Sequence, residues 1–498
     1  MMKITKWELI HPFMFGIFPI LFIYANNLSE ISLNSLIFPV VLIFGILTIL
    51  ILFFSKISKN LSRVTLALSF SLLLFFSIGY VKISFHGIKI FNFAIDQIGF
   101  VILLYAIVFF VGIFIIYKIK YLSEITKIVS VISVAVILSF LPGMIIDSTG
   151  NEFNANNFYS GIKFVSLEKP NIYFIILDSY PNQQSLTNHF NFDNSEFLEY
   201  LKNLGFVISE DSFSNYGGTA YTMISTFHMN YLHDLDEFNA NNSMLKKNMF
   251  SNNPVMKTFQ ENGYTTIYID GGGPMRDMQV NKIFCHSFDN GLLQTLIDTS
   301  VVTYIYQGFF WDSWNEIRSC AFSELDNIKE NTQEPFFVYA HLRTPHEPYL
   351  RDADGNFVQY EERVEELDEK TSNERFVYQL QYTNKIMSEI INKLLLHESK
   401  PIIILASDTG WNPYLSSPPT DEDLIQLYSN FAAFYLPGID NHEPYRTITP
   451  VNIFRIILND YYGNDLDILE NKAYFVNIEN TEKDLDQIDI TNIVNSKK

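Results

Sequence analysis

A chain of 498 residues is too long for one small core and implies two or three domains. Its charge is unevenly shared: residues 1–150 carry 10 Lys+Arg against 5 Asp+Glu, whereas residues 151–498 carry 24 against 49, so the first part is near +5 and the second near −25. The acidic second part excludes nucleic acid as a partner, because a phosphate backbone needs a basic footprint. The two cysteines, Cys285 and Cys320, form no CxxC or Cys/His pattern, which excludes zinc-finger and thioredoxin-like sites.

In chain order, five apolar runs come first, near residues 9–26, 33–54, 62–82, 98–117 and 128–146. Each approaches the roughly 20 residues that a helix needs to cross a bilayer. A cleavable signal peptide would explain only the first run, and that run has no small-residue cleavage site. Pro12, Pro19 and Pro39 lie inside the runs, which membrane helices tolerate when neighbours satisfy the freed backbone groups. His11, at the end of the first run, is expected at the membrane interface. Lys3 and Lys6, then Lys56, Lys59 and Arg63, then Lys118, Lys120 and Lys127 alternate with loops holding only Lys82 and Lys89. By the positive-inside rule the N-terminus is then cytoplasmic, and five crossings put everything after about residue 150 outside.

From Asp147 to about Glu168 the chain turns polar and rich in Asn, which reads as a tether or an amphipathic connection over the membrane surface. The expected organisation is a transmembrane domain of five helices over 1–147, a linker over 148–168 and an extracytoplasmic domain over 169–498. In that last part short apolar runs alternate with helical patterns: 171–177, 195–204, 264–269, 335–341, 378–396, 401–406 and 430–436. Strands separated by helices predict an α/β domain with a mostly parallel central sheet.

Four stretches carry candidate chemistry. Residues 171–177 read as a buried strand whose C-terminal end delivers Asp178 into the crevice where open α/β sheets bind ligands; the plainer reading makes Asp178 a cap of the following turn. Gly217-Gly218-Thr219 precedes apolar residues 223, 224 and 227 on one helical face, so Thr219 falls at a helix N-terminus. There it is either an ordinary cap or a hydroxyl nucleophile beside an anion held by free N–H groups. Residues 401–406 repeat the strand-then-carboxylate device at Asp408-Thr409-Gly410. Two carboxylates and a hydroxyl are hard oxygen ligands suited to Mn²⁺ or Mg²⁺. Finally, Phe336–His341 is a strand left by a loop carrying His346 between two prolines. His341 is either a satisfied core histidine or a site residue, and His346 is the better candidate for contacting substrate oxygens.

Taken in order, the membrane spans, IYFIILDSY, SNYGGTAYTMIS, FVYAHLRTPHEPY, DADGNF, IIILASDTG, SNFAAFYLPG and ITPVNIFRIILNDYYG resemble the membrane-bound sulfatase-like proteins of the alkaline phosphatase superfamily. That group includes lipoteichoic acid synthases and phosphoethanolamine transferases. The resemblance covers roughly residues 168 to 475 and implies Asp178, Thr219 and Asp408 as ligands of one divalent metal ion, Thr219 as a nucleophile that is transiently phosphorylated, and His346 as a substrate-binding residue; His341, by its place at the strand end, is a further substrate-binding candidate. One position departs from the pattern. Where the family has Asp-His-Gly this chain has Asp408-Thr409-Gly410, so Thr409 Oγ or a water would take the place of an imidazole. The Cys/Ser-x-Pro-x-Arg segment of true sulfatases is not matched at Cys285 or Cys320, and the threonine variant points to phosphorus rather than sulfur. Asp352-Ala353-Asp354-Gly355-Asn356 imitates the start of a calcium loop, yet Phe357 and Arg363 replace the expected Gly and Glu, so it reads as a solvated turn.

The expected function is a metal-dependent phosphotransferase or phosphodiesterase at the outer face of a cell membrane, acting on a membrane lipid or lipid-linked glycan through a phosphothreonine intermediate. The alternative is a catalytically impaired sulfatase-like membrane protein that binds an envelope lipid or glycan without turnover. The two cysteines are able to form one disulfide in an outside domain, but their spacing does not decide it.

Overall fold

The computed structural model describes residues 7–27, 31, 33–84, 89–90, 93–94, 98–148, 162–165, 168–210, 212–235, 238, 243–273, 278–285, 290–302, 308–359, 367–396, 399–476 and 487–496. Lys3, Lys6, Arg363 and most of the expected linker lie outside the described residues. The chain divides into two compact units, one of residues 1–150 with 288–310 and the other of 151–287 with 311–498.

Five long helices of the first unit come from residues 1–150: α1 (Trp7–Asn26), α2 (Ile37–Ser58), α3 (Leu61–Ser84), α4 (Ile98–Lys118) and α5 (Leu122–Ser148). All five are long and apolar enough to cross a membrane. The last begins earlier than its apolar run, so Lys127 lies within α5 and not in the loop before it. Lys89–Ile90 (β1) and Phe93–Ala94 (β2) pair as a short antiparallel hairpin between α3 and α4. His11 is fully buried within the helices, with Nδ1 2.6 Å from Ser69 Oγ of α3, a partner that lipid could not offer that nitrogen. The helix Asn290–Asp298 belongs to this unit, where Leu292 and Leu296 pack with Ile20, Ile23 and Leu36. Beyond it, Val301 and Gly79 N–H donate to the carbonyls of Phe75 and Thr299.

In the second unit a seven-stranded sheet is built from β3 (Ile172–Leu177), β4 (Val207–Ile208), β5 (Thr265–Gly271), β6 (Lys282–Phe284), β7 (Phe336–Leu342), β8 (Ile402–Ala406) and β9 (Ala432–Tyr435), in the order β4-β9-β8-β3-β7-β5-β6. The five strands β8, β3, β7, β5 and β6 run parallel, whereas β9 is antiparallel to both β8 and β4. Helices cover both faces, so β3 and β8 at the centre are apolar throughout. The period of two divides β3 between the layers. Ile172, Phe174 and Ile176 pack with Met223, Ile224 and Phe227 of the helix Thr219–His228, while Tyr173, Ile175 and Leu177 pack with Phe376 and Leu380 of the helix Glu369–Leu395 and with Leu325 and Ile328 of Gly308–Asn331. Each fully buried side chain of this kind contributes about 1.5–3 kcal/mol. Shifting β3 by one residue would therefore exchange the two faces and displace Asp178.

A disulfide joins Cys285, just after β6, to Cys320 in the helix Gly308–Asn331, with Cα atoms 5.7 Å apart. It ties the chain together where the excursion 288–310 leaves and rejoins this unit. In the Asp352 turn, Asp352 Oδ1 accepts from Asp354 N and Asn356 N at 3.0 and 2.8 Å, so the carboxylate is occupied in closing its own loop.

Candidate metal and phosphoryl-transfer site

Register brings the site together. Ile176 pairs with His341 on one side and Ala406 on the other, so Asp178 lies two residues beyond one strand row and Asp408 two beyond its neighbour. Next along, Asp270 of β5 pairs with His341. The ligand atoms of Asp178, His341 and Asp408 all lie within 4.8 Å of one another, and all three residues are buried. His341 shares the parity of Phe337 and Tyr339, which face the helix Thr219–His228, so its ring is directed to the layer that carries Thr219.

Each group is held by several bonds. Thr219, the first residue of its helix, donates from Oγ1 to Asp408 Oδ2 at 2.5 Å. The other oxygen, Asp408 Oδ1, accepts from the backbone N–H of Ser179 at 3.1 Å and of Thr409 at 2.9 Å. Asp178 Oδ1 accepts from Ser179 Oγ at 3.0 Å, and Oδ2 lies 3.4 Å from His341 Nε2. His341 Nδ1 is 2.7 Å from Tyr339 Oη. Buried Ser214 links the loop before Thr219 to the end of β8, with Oγ donating to Asp408 O at 2.7 Å. Gly218 takes an ordinary extended conformation and caps the helix without a side chain. Gly217 is needed for close approach, since a Cβ there would lie 2.9 Å from Leu427 and 3.0 Å from Tyr428. On the other side of His341, Gly272 has φ +97°, and a Cβ on Gly273 would lie 2.8 Å from the His341 ring.

Electrostatics separate the two carboxylates. Burial raises the pKa of Asp408, and the negative charge of Asp178 raises it further. Burial also opposes ionisation of Asp178, but the charges of His346, His341 and Arg343 and the hydrogen bond from His341 outweigh it and hold this carboxyl below its usual range. For His341, burial disfavours the cation. Its hydrogen bond to Asp178, with the charges of Asp178, Asp408 and Asp270, outweighs that and raises its pKa. Two buried carboxylates this close are costly unless a cation or a shared proton offsets them, and carboxylate, imidazole and hydroxyl donors together fit a divalent ion.

His346 sits in the loop leaving β7, half-buried, with its N–H donating to Asp178 O at 3.2 Å and its ring 4.7 Å from that of Trp411. Two residues far away in sequence hold this loop. Arg318, from the helix Gly308–Asn331, donates from Nη1 to Pro348 O at 2.8 Å and from Nη2 to His346 O at 2.9 Å. Gln379, from the helix Glu369–Leu395, donates to His346 O at 2.8 Å and Pro345 O at 3.0 Å and accepts from Leu350 N at 2.7 Å. Arg343 stacks over Trp314 at 4.6 Å.

The structure thus brings Asp178, Thr219, Asp408 and His341 together, with His346 in the adjoining loop. Thr409 is buried beside them; its N–H is bound to Asp408 and its carbonyl accepts from Ser407 Oγ at 2.5 Å. Sequence reasoning missed Ser179, Ser214, Tyr339, Asp270, Arg318 and Gln379. A signal existed for Tyr339, two residues before His341 on a strand and so on the same face; nothing local marked Arg318 or Gln379.

The Sulfatase family model matches residues 170–423, which span every residue of this site. The chain belongs to the Sulfatase family. Among solved structures it is similar to the C-terminal periplasmic domain of EcEptC from Escherichia coli, at 13% identity over 68% of this chain and 97% of that one, with a TM-score of 0.43. It is also similar to the integral membrane lipooligosaccharide phosphoethanolamine transferase A (EptA) from Neisseria meningitidis, at 11% identity over 92% and 90% of the two chains, with a TM-score of 0.40. A third is the lipoteichoic acid synthase LtaP from Listeria monocytogenes, at 13% identity over 60% and 72%, with a TM-score of 0.35. Among curated proteins, none matches the sequence.

Proposed function

We propose that this Sulfatase-family membrane protein is a metal-dependent phosphotransferase or phosphodiesterase that acts on a lipid-linked or cell-envelope phosphodiester. The observation that carries the reading is the hydroxyl of Thr219, at a helix N-terminus, hydrogen-bonded to one of two buried carboxylates that share their crevice with an imidazole. Asp178, Asp408, Thr219 Oγ1 and His341 Nε2 would hold one divalent ion, with His341 supplying the nitrogen that Thr409 cannot. A donor set with an imidazole favours Mn²⁺ over Mg²⁺. When bound, such an ion polarises a phosphoryl oxygen and lowers the pKa of a bound alcohol.

The residues then have separate tasks. Thr219 Oγ1 attacks phosphorus, and its proton leaves along the existing hydrogen bond to Asp408 Oδ2. The P–O bond to the alcohol or diacylglycerol part breaks, and that group takes a proton from solvent, to which Asp408 returns the one it accepted. The free N–H groups of the first helical turn face the transferring phosphoryl oxygens. His346 contacts the same oxygens, held by the Arg318–Gln379 clamp on its backbone. A glycan hydroxyl or water then resolves the phosphothreonine. In this reading the N-terminus is cytoplasmic and the catalytic unit lies outside the membrane. A non-catalytic binding protein is the second reading, favoured by Thr409 at the position of the family's histidine.

Metal analysis of the purified full-length protein, with mass spectrometry for phosphate on Thr219 after incubation with phosphatidylglycerol or phosphatidylethanolamine membranes, tests the proposal. A stoichiometric divalent ion and a phosphate adduct absent from Thr219→Ala are expected. Metal without adduct or turnover on any phospholipid would favour the binding-only reading, and no metal at millimolar Mn²⁺ would overturn the metal-dependent one.

A further inference from the structure

One feature of the membrane unit plays no part in the proposed chemistry. Between α2, α3 and α4 runs a groove of about 310 Å³ with mostly apolar walls that include Ile57, Ala67, Phe109 and Ile116, and with Arg63 and Tyr117 at its end. Apolar walls suit acyl chains, but the end of the groove is unlike them. Arg63 lies half-buried with its guanidinium carbon 5.1 Å from the centre of the Tyr117 ring, and its buried Nε has no hydrogen-bond partner among the described residues. A buried guanidinium N–H without an acceptor costs free energy that a ligand oxygen would recover. Around this end the chain supplies Lys56, Lys59, Lys118 and Lys120, and the stretches 37–64 and 98–121 contain no Asp or Glu. The first turn of α3, which begins at Leu61, adds the positive end of a helix dipole.

From this arrangement we infer that the groove is a binding site for one anionic glycerophospholipid, with its acyl chains along the α2–α3–α4 walls and its phosphodiester on Arg63. A zwitterionic lipid would fill the walls equally well; what selects an anionic headgroup is the surplus of positive charge at the end of the groove, since basic groups near a membrane surface attract anionic lipid. The site differs from the candidate catalytic centre and does not depend on the phosphotransfer reading.

Native mass spectrometry of the full-length protein, exchanged into detergent containing equal amounts of phosphatidylglycerol and phosphatidylcholine, reads the proposal directly. Wild type is expected to retain one phosphatidylglycerol in preference to phosphatidylcholine, and Arg63→Gln to lose that preference by roughly five- to ten-fold. Ala67→Trp, which fills the groove and leaves every charge in place, is expected to lose retention of both lipids. Equal retention of the two lipids by wild type would overturn the proposal, as would an unchanged preference in Arg63→Gln. Full retention in Ala67→Trp would show that the lipid sits elsewhere, which also overturns it. A dimer that phosphatidylglycerol does not dissociate would assign the groove to a second copy of the chain instead.

Discussion

Tyr339 Oη lies 2.7 Å from His341 Nδ1, and this leaves Nε2 of the same ring facing Asp178 at 3.4 Å. The two residues are two apart on β7, so strand geometry alone puts them on one face. A metal-binding imidazole is commonly oriented by a partner on its other nitrogen. Tyr339→Phe should therefore keep the fold but weaken divalent-metal binding by about 10- to 100-fold. His341→Ala should abolish it. Titration calorimetry with Mn²⁺ checks both; equal affinity in Tyr339→Phe and wild type would remove Tyr339 from this role, and undiminished binding in His341→Ala would return the fourth position to Thr409.

Arg318 and Gln379 meet on the backbone that presents His346, and the Arg318 guanidinium also donates to Gln379 Oε1 at 3.2 Å. Gln379→Ala would remove the partner of the Pro345 carbonyl and of the Leu350 N–H, at about 1–3 kcal/mol for each buried group, while Arg318 still donates to His346 O. Thermal melts should show that loss. Because His346 is proposed to contact the phosphoryl group and not the lipid tail, kcat should fall more than KM rises in Arg318→Lys, which retains charge but not the forked geometry. A lower melting temperature with unchanged kinetics would make the clamp purely structural.

Acid should destabilise the second unit through His228. This residue is buried in the helix Thr219–His228 with Nε2 2.9 Å from Met249 O, and burial lowers its pKa from 6.5 to about 4. Between those values the unfolded chain binds a proton that the folded chain does not, so stability falls as pH drops from about 6.5 towards 4, by up to about 3 kcal/mol in all. Melting temperature against pH, compared with His228→Gln, isolates the effect: the variant should have the flatter acid limb.

Removing the Cys285–Cys320 bridge should also be costly. Its sequence separation of 35 gives, by loop-closure entropy, a stabilisation of about 4 kcal/mol. The Cys285→Ser/Cys320→Ser double variant should melt earlier and yield to protease sooner between those positions. An unchanged melting temperature would mean that packing around the helix Gly308–Asn331 already closes the excursion.

Much of this architecture is written locally. Five apolar runs read as membrane helices because a bilayer leaves the backbone no other solution, and β3 and β8 read as buried strands because only a strand covered on both faces is apolar at every position. Asp178 and Asp408 stand out for the same reason, each the first charge after such a run. What they meet was decided by tertiary structure. His341 was equally a core histidine or a site residue until the register Ile176↔His341 and the side on which the Thr219 helix packs fixed where its ring points. Cys285 and Cys320 were two cysteines whose pairing depended on Cα atoms being brought to 5.7 Å. The grouping of residues 288–310 with the membrane helices, and the meeting of Arg318 and Gln379 on the His346 loop, involve partners far apart in the chain. Periodicity reports which face of an element is apolar. It carries no information about which element will cover that face, and only packing supplies it.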